Sequence, residues 1–418
     1  MRRSRIYRKR SRARWIGPII ALLATALVIF MLWLVAAYSQ APLIAYWRGI
    51  YIETAMTTAD HQWLATMFFP KSAIDEAMLS SVPRNEDIIG GAEYLETVAD
   101  GETEIVTAVE TFASPEEEPE ETEPPVTERP ETKAPETEPA VTKAPETEAP
   151  LPKAPDNKYR NAEGDVLGLS YIRKGSKDYA GSAVSVVDRD EGLYIADVSG
   201  SGYKGKVLLV DDPSRVFVGR TIYAAEGTRI RKMASYYGAV AGINGSGFPD
   251  PDGTGDGRMP MGMAASQGSI WGTYANFFGS VIMTKSDKLV VGNISVWKNY
   301  AIRDGIQFGP ILIADGEKRV KGSAGYGIQP RTAIGQRDDG VIVMLVIDGR
   351  DPAHSLGCTV GECAEILERY GCVNAACCDG GSSSVMEYGG AVINRNCSKN
   401  PDYGRRLPNA WLVKSKNG

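Results

Sequence analysis

The chain has 418 residues, 43% of them hydrophobic, and a formal net charge of −6, which is enough apolar material for at least one domain with its own core. Eight Lys and Arg residues crowd between Arg2 and Arg14 with no acid among them, and without those eight charges the remainder carries −14. An acidic body of this kind excludes nucleic-acid binding, which needs a basic face.

Residues 1–15 form a basic tail. Ile16 to Ala37 are 22 residues without a charge, and at about 1.5 Å per residue a helix of that length covers the roughly 30 Å hydrocarbon core of a bilayer. A transmembrane helix is therefore predicted over 16–38. The basic side stays in the cytoplasm, so the chain is expected to be a single-pass protein of the cell membrane with its C-terminal bulk outside the cell. A cleaved signal peptide is the competing reading, because small residues follow at Ala36 to Ala41, but the apolar run is long for one.

Residues 39–100 read as a juxtamembrane helical segment, with Trp47, Tyr51, Trp63 and Phe68 placed to rest on the outer membrane face. His61 lies here and is assigned no catalytic part. Residues 101–158 read as a disordered acidic stalk rich in Pro, Glu and Thr. Between 101 and 150, 15 Glu stand against Arg129, Lys133 and Lys143, and TKAPETE at 132–138 recurs at 142–148. Such a stretch cannot bury enough apolar surface to fold, and its prolines and like charges keep it extended.

Residues 159–418 hold the globular domain, expected to fold and act without the stalk. AVSVVD, GLYIADV, GKVLLVDD, AVAGIN, SVIMTK, KLVVG, PILIAD, RTAIGQ, VIVMLVID and AWLVK read as strands, whereas RIRKMASYYG and the stretch after Thr359 read as helices. The expected fold is α+β, a β-rich mixed-sheet domain with few helices.

The chemistry concentrates between Pro330 and Met386. IVMLVIDGR and VNAACCDGG are apolar runs that each end in Asp-Gly, delivering Asp348 and Asp379 to strand ends where a substrate reaches them. If the two strands are parallel neighbours, the crossover rule puts both carboxylates at one edge of the sheet. Between them, Thr359 to Glu362 fits a capping box, the plainer explanation of Glu362. After Asp379, Gly380, Gly381, Ser382 and Ser383 offer a backbone nest and hydroxyl donors for an anion. Arg331 and Thr332 open a strand and Arg350 follows Asp348, and arginine suits a two-pronged grip on phosphate.

INGSGF (243–248), FGPILIADG (308–316), PRTAIG (330–335), VIDGR (346–350), S-x-G-x-T-x-x-E (355–362), NAACCDGGSSSVM (374–386) and RRLPNAWLV (405–413) together resemble the phosphodiester glycosidase family, in consistent order over about 180–418. Two departures stand out: INGSGF where many relatives have INGGFF, and Cys378 where many have leucine before the aspartate. The resemblance implies hydrolysis at the anomeric carbon of a sugar-1-phosphodiester, such as an N-acetylglucosamine-1-phosphodiester, in a cell-envelope or extracellular glycopolymer. It implies Asp348, Asp379 and Glu362 as the acids and Arg331 with the Gly380–Ser383 loop as the phosphate site. Thr332 and Arg350 support that site, and Asn244 binds sugar hydroxyls.

Other motifs fail on context. Gly200, Gly202 and Gly205 match G-x-G-x-x-G but lead into a strand, so no dinucleotide site follows. PDPDGTGDGR (249–258) offers Asp250, Asp252 and Asp256 as calcium ligands, but the spacing misses the EF-hand pattern, so the stretch reads as a substrate-facing loop, no cofactor is assigned and calcium stays the second reading. All six cysteines lie between Cys358 and Cys397, where one or two disulfides are expected and none is catalytic. Two alternatives remain: a glycan-binding module without catalysis, and a serine hydrolase using Ser383 or Ser384 with His354, although no G-x-S-x-G elbow is present.

Overall fold

The computed structural model describes residues 4–58, 61–79, 89–97, 165–295 and 297–417; the stalk assigned to 101–158 lies outside the described residues. The N-terminal helix runs from Ser4 to Tyr38, so the basic tail continues the apolar stretch as one helix. Its segment Gly17–Tyr38 is apolar and long enough to cross a membrane. Three helices follow, Pro42–Met56, Gln62–Phe68 and Lys71–Leu79, and pack on one another through Ile52, Ala55, Ala65, Ile74 and Ala77.

The β-rich α+β domain is built around an eight-stranded sheet. Its order is Glu317–Lys318, Ile311–Ala314, Cys372–Cys378, Arg331–Arg337, Ile342–Ile347, Lys204–Val210, Leu193–Ser199 and Ala183–Asp188, each neighbour antiparallel to the next. Alternate side chains of Ile342–Ile347 enter two different cores. Val343, Leu345 and Ile347 pack with the helix Val360–Arg369 on one face. Ile342, Met344 and Val346 pack on the other face with strands of the five- and six-stranded sheets. Burial on both faces explains the unbroken apolar run, because period-2 side chains then meet no water on either side.

The strands ending at Asp348 and Asp379 are parallel to each other but are not neighbours. Arg331–Arg337 runs between them, antiparallel to both, with Arg331 opposite Ile347 and Thr332 opposite Cys378. Both aspartates therefore leave the sheet at the end where Arg331 and Thr332 enter it. The five-stranded sheet brings Asn244 to the same end, because Ala239–Asn244 pairs with Met386–Tyr388 and with Asn409–Lys414. All six cysteines are free thiols, in contrast to the expected bridges. Cys372 and Cys377 point into one core and Cys378 into the other, so strand alternation parts the sequence neighbours and uses them as small apolar side chains.

Candidate active site

The loops leaving this sheet end surround a cavity of about 350 Å³. Asp379, Gly380, Gly381, Ser382, Ser383, Arg331 and Arg350 line it, joined by Asp250, Arg405, Gln329, Tyr326 and an apolar wall of Phe248, Phe278, Phe308 and Met261. A pocket of mostly apolar walls with a few convergent charges is the usual form of a small-molecule site. Its charged residues are three arginines and two aspartates, so it favours an anion even with both carboxylates ionised.

Asp379 sits where the strand Cys372–Cys378 ends, with its backbone N–H donating to Gly245 at 2.9 Å and its carbonyl accepting from Asn244 Nδ2 at 2.7 Å. Burial pushes its pKa up to about 6, against the opposing pull of the Ser383 hydroxyl, Arg405 and the Gly380 N–H. Gly247 has no room for a side chain: a Cβ there would lie 2.7 Å from the Phe308 ring and 3.7 Å from the Asp379 carboxyl carbon. Ser246 is buried and exchanges hydrogen bonds with Asn409, its N–H donating to Oδ1 at 2.7 Å and its hydroxyl accepting from Nδ2 at 3.0 Å.

Arg405 forks onto Asp250, Nη1 to Oδ2 at 2.6 Å and Nη2 to Oδ1 at 2.7 Å, and lies 4.6 Å over the Phe248 ring. It also donates to Ser382 Oγ at 3.3 Å. That grip, ahead of the opposing effect of burial, holds the Asp250 carboxyl below its usual range. Asp250 gives both oxygens to Arg405, which removes it from the calcium set the sequence offered.

Arg350 adopts a left-handed backbone (φ 60°), which a side chain disfavours and surrounding contacts must hold. Its Nε and Nη2 donate to Gln329 Oε1 at 3.2 and 2.9 Å. Gln329 in turn donates to the Thr54 carbonyl at 2.9 Å and Thr58 Oγ1 at 2.8 Å, so the Pro42–Met56 helix and the turn after it brace the arginine. Thr57 and Thr58 line the cavity themselves. Arg331 turns Nε to the Cys358 carbonyl and Nη2 to those of Tyr326 and Gly327, leaving Nη1 without a partner among the described residues.

The remaining expected site residues lie behind the lining. Asn244 is fully buried, accepting from Thr332 Oγ1 at 2.8 Å and from the Val385 N–H at 3.0 Å, so it and Thr332 tie strands together beneath Asp379. Asp348 accepts from His354 Nε2 at 2.8 Å, Asn394 Nδ2 at 3.1 Å and the Arg395 N–H at 3.0 Å, which commits both its oxygens. Asn394 also donates to the Ser384 carbonyl, so Asp348 braces the far side of the serine loop. Glu362 closes the capping box with Thr359 at the start of the helix Val360–Arg369. The expected backbone nest is spent internally: the Gly380, Gly381 and Ser383 N–H groups go to Asp379 Oδ1, the Pro330 carbonyl and the Gly380 carbonyl. The serine-hydrolase alternative finds no histidine among the residues lining the cavity, where Ser383 sits without His354.

Arg405 and the aromatic wall were not assigned from sequence. Their signal was present, since Arg405 opens RRLPNAWLV, Phe248 ends INGSGF and Phe308 opens FGPILIADG. Gln329, Thr57 and Thr58 carried no motif.

Residues 237–414 match the phosphodiester glycosidase family. A stretch of 196 residues, 44% of the chain, is 30% identical to the SPbeta prophage-derived uncharacterized protein YomE of Bacillus subtilis (strain 168), and the match spans only 29% of that relative's length. Among solved structures, the catalytic domain of zebrafish N-acetylglucosamine-1-phosphodiester alpha-N-acetylglucosaminidase, auto-inhibited by its pro-peptide, is 17% identical with a TM-score of 0.44 over 54% of this chain and 82% of that one. A hypothetical protein from Synechocystis is also 17% identical, with a TM-score of 0.40 over 56% of this chain and 64% of that one. The segment 237–414, which matches the phosphodiester glycosidase family, also supplies most of the cavity lining.

Proposed function

We propose that the protein is an extracytoplasmic hydrolase of a sugar-1-phosphodiester. The observation that carries this reading is one carboxylate with a raised pKa, Asp379, in a cavity that also holds three arginines and an aromatic wall. A phosphate monoester is a better leaving group than a sugar alkoxide, so the site needs anion stabilisation more than a strong general acid. Arg350, Arg405 with Ser382, and the open Nη1 of Arg331 hold the phosphate, while the sugar stacks on the phenylalanines. Water attacks the anomeric carbon and the bond from that carbon to the phosphate oxygen breaks. The electron pair leaves on the phosphate and Asp379 takes the water's proton. Asp348 orders the loop that carries the serines, and Glu362 starts the helix behind it.

The test pairs a sugar-1-phosphodiester with an aryl glycoside of the same sugar. Asp379→Asn should lower phosphodiester turnover by about a thousandfold, and Arg350→Ala should cost on the order of 3 kcal/mol on the phosphodiester alone. Full turnover by Asp379→Asn would end this reading, and binding without turnover by the unaltered protein would make it a glycan-binding module.

A further inference from the structure

The cavity and the apolar N-terminal helix are pinned to one helical cluster. On its side toward the span, Pro42–Met56 carries Arg48, whose Nη1 donates to the carbonyls of Ser39 at 2.8 Å, just past the apolar span, and Ala36 at 3.4 Å, within it. Trp33 Nε1, inside that span, donates to the Phe68 carbonyl at 2.8 Å, fixing the Gln62–Phe68 helix beside it. At the other end, Thr54 accepts from the Ile328 N–H and the Gln329 amide, and Gly327 packs so closely on Thr54 that a Cβ there would lie 2.5 Å from its backbone nitrogen. Thr57 and Thr58 then become cavity wall. One helix of 15 residues, about 22 Å long, thus connects the end of the span to the cavity wall.

The same cluster presents large apolar side chains outward. Leu43 and Met67 are each 70% exposed, and Trp47 and Trp63 each 55%. Soluble surfaces seldom gather such groups, whereas tryptophan and aliphatic side chains beside a membrane span rest at the bilayer interface. Beside the cavity's Phe278 stands Phe277, 60% exposed, with ring centroids 4.4 Å apart, so the apolar wall continues to the surface there.

We infer that the substrate is a sugar-1-phosphate esterified to a long-chain lipid alcohol, presented from the bilayer on which this cluster rests. The phosphate reaches the arginines at headgroup level and the lipid chain leaves along the apolar wall. Hydrolysis consumes water, breaks the bond from the anomeric carbon to the phosphate oxygen, and yields free sugar in solution and lipid monophosphate in the membrane. This inference rests on the hydrolase reading above and on Gly17–Tyr38 spanning the membrane.

The full chain in phosphatidylcholine vesicles is assayed on two esters of one sugar-1-phosphate, a soluble methyl ester and a long-chain alkyl ester held in the same vesicles. The alkyl ester should be cleaved at least tenfold more efficiently. Trp47→Ser with Trp63→Ser should erase that preference and leave methyl ester turnover unchanged. If the double variant loses both activities through misfolding, Leu43→Ser is read in the same way. Equal or slower cleavage of the alkyl ester, or a preference that survives these changes, overturns the lipid assignment. Cleavage of neither ester overturns the hydrolase reading itself.

Discussion

Asp379 gains its chemistry from position. A carboxylate at a strand end near the floor of a cavity loses water on several sides, which raises its pKa to about 6, and Ser383 and Arg405 limit the rise. As the base it must be ionised, so kcat/KM for a sugar-1-phosphodiester should fall below an apparent pKa near 6 and level off above it. Arg405→Ala removes an attraction for the ionised form and releases Asp250 as a second negative charge. The acid limb of the profile should then move to higher pH and the plateau drop by about a hundredfold. An unmoved limb would separate Arg405 from Asp379. At this scale the sequence was half legible. An apolar run ending in Asp-Gly located Asp379, because a buried strand must end where solvent begins. The ion pair of Asp250 was not read because its partner is 155 residues away, and spacing reports only local neighbours.

The strand Met386–Tyr388 alternates as a strand should, with Met386 in the central core and Glu387 on the opposite side, 1% exposed. Glu387 Oε1 accepts from the Gly390 N–H at 2.6 Å, while Oε2 has no partner among the described residues. Burial pushes its pKa up to about 7 from 4.5, against the pull of the Gly390 N–H and Arg231. Because the folded state holds this proton more tightly than the unfolded chain, the resulting stability is complete below about pH 4.5 and lost as pH rises through 7. Glu387→Gln keeps the shape of the protonated form. Thermal melts should show it close to the unaltered protein at pH 4 and more stable at pH 8, by on the order of 3 kcal/mol. An equal offset at both pH values would point to packing instead. Elements were the most legible part of the chain where both faces are apolar, as in Ile342–Ile347. The strand Ile302–Phe308 escaped because Asp304 and Gly305 interrupt it. Asp304 is fully buried and survives there by accepting from the Val218 and Gln267 N–H groups and from Arg303, partners no local pattern displays.

At the scale of the whole molecule, the break in composition at 101, from which a stalk was expected, is not the edge of the folded unit. Ile89–Gly90 pairs with Leu289–Gly292 at the edge of the six-stranded sheet, and the Gly91 N–H donates to Asp315 Oδ1 at 2.7 Å. Thr54 and Thr58 hold Gln329, and through it Arg350. A long connection does not forbid such docking, since each doubling of loop length costs only about 0.6 kcal/mol of closure entropy. The two cores that flank the eight-stranded sheet draw all their residues from Leu167 onward, so a fragment of 160–418 should still fold. It should not keep full activity, in contrast to the expectation from sequence. Without Thr57 and Thr58 the cavity loses a wall, and without the Thr54 and Thr58 contacts Gln329 no longer fixes an arginine whose left-handed backbone needs support. On a soluble sugar-1-phosphodiester, the 160–418 fragment should show kcat/KM at least tenfold below that of 42–418, with most of the loss in KM because phosphate binding is what Arg350 supplies. Gln329→Ala in 42–418 should reproduce much of that loss while leaving the melting temperature within a few degrees. Equal activity of the two fragments would show that the N-terminal helices only hold the domain at the membrane and take no part in its site.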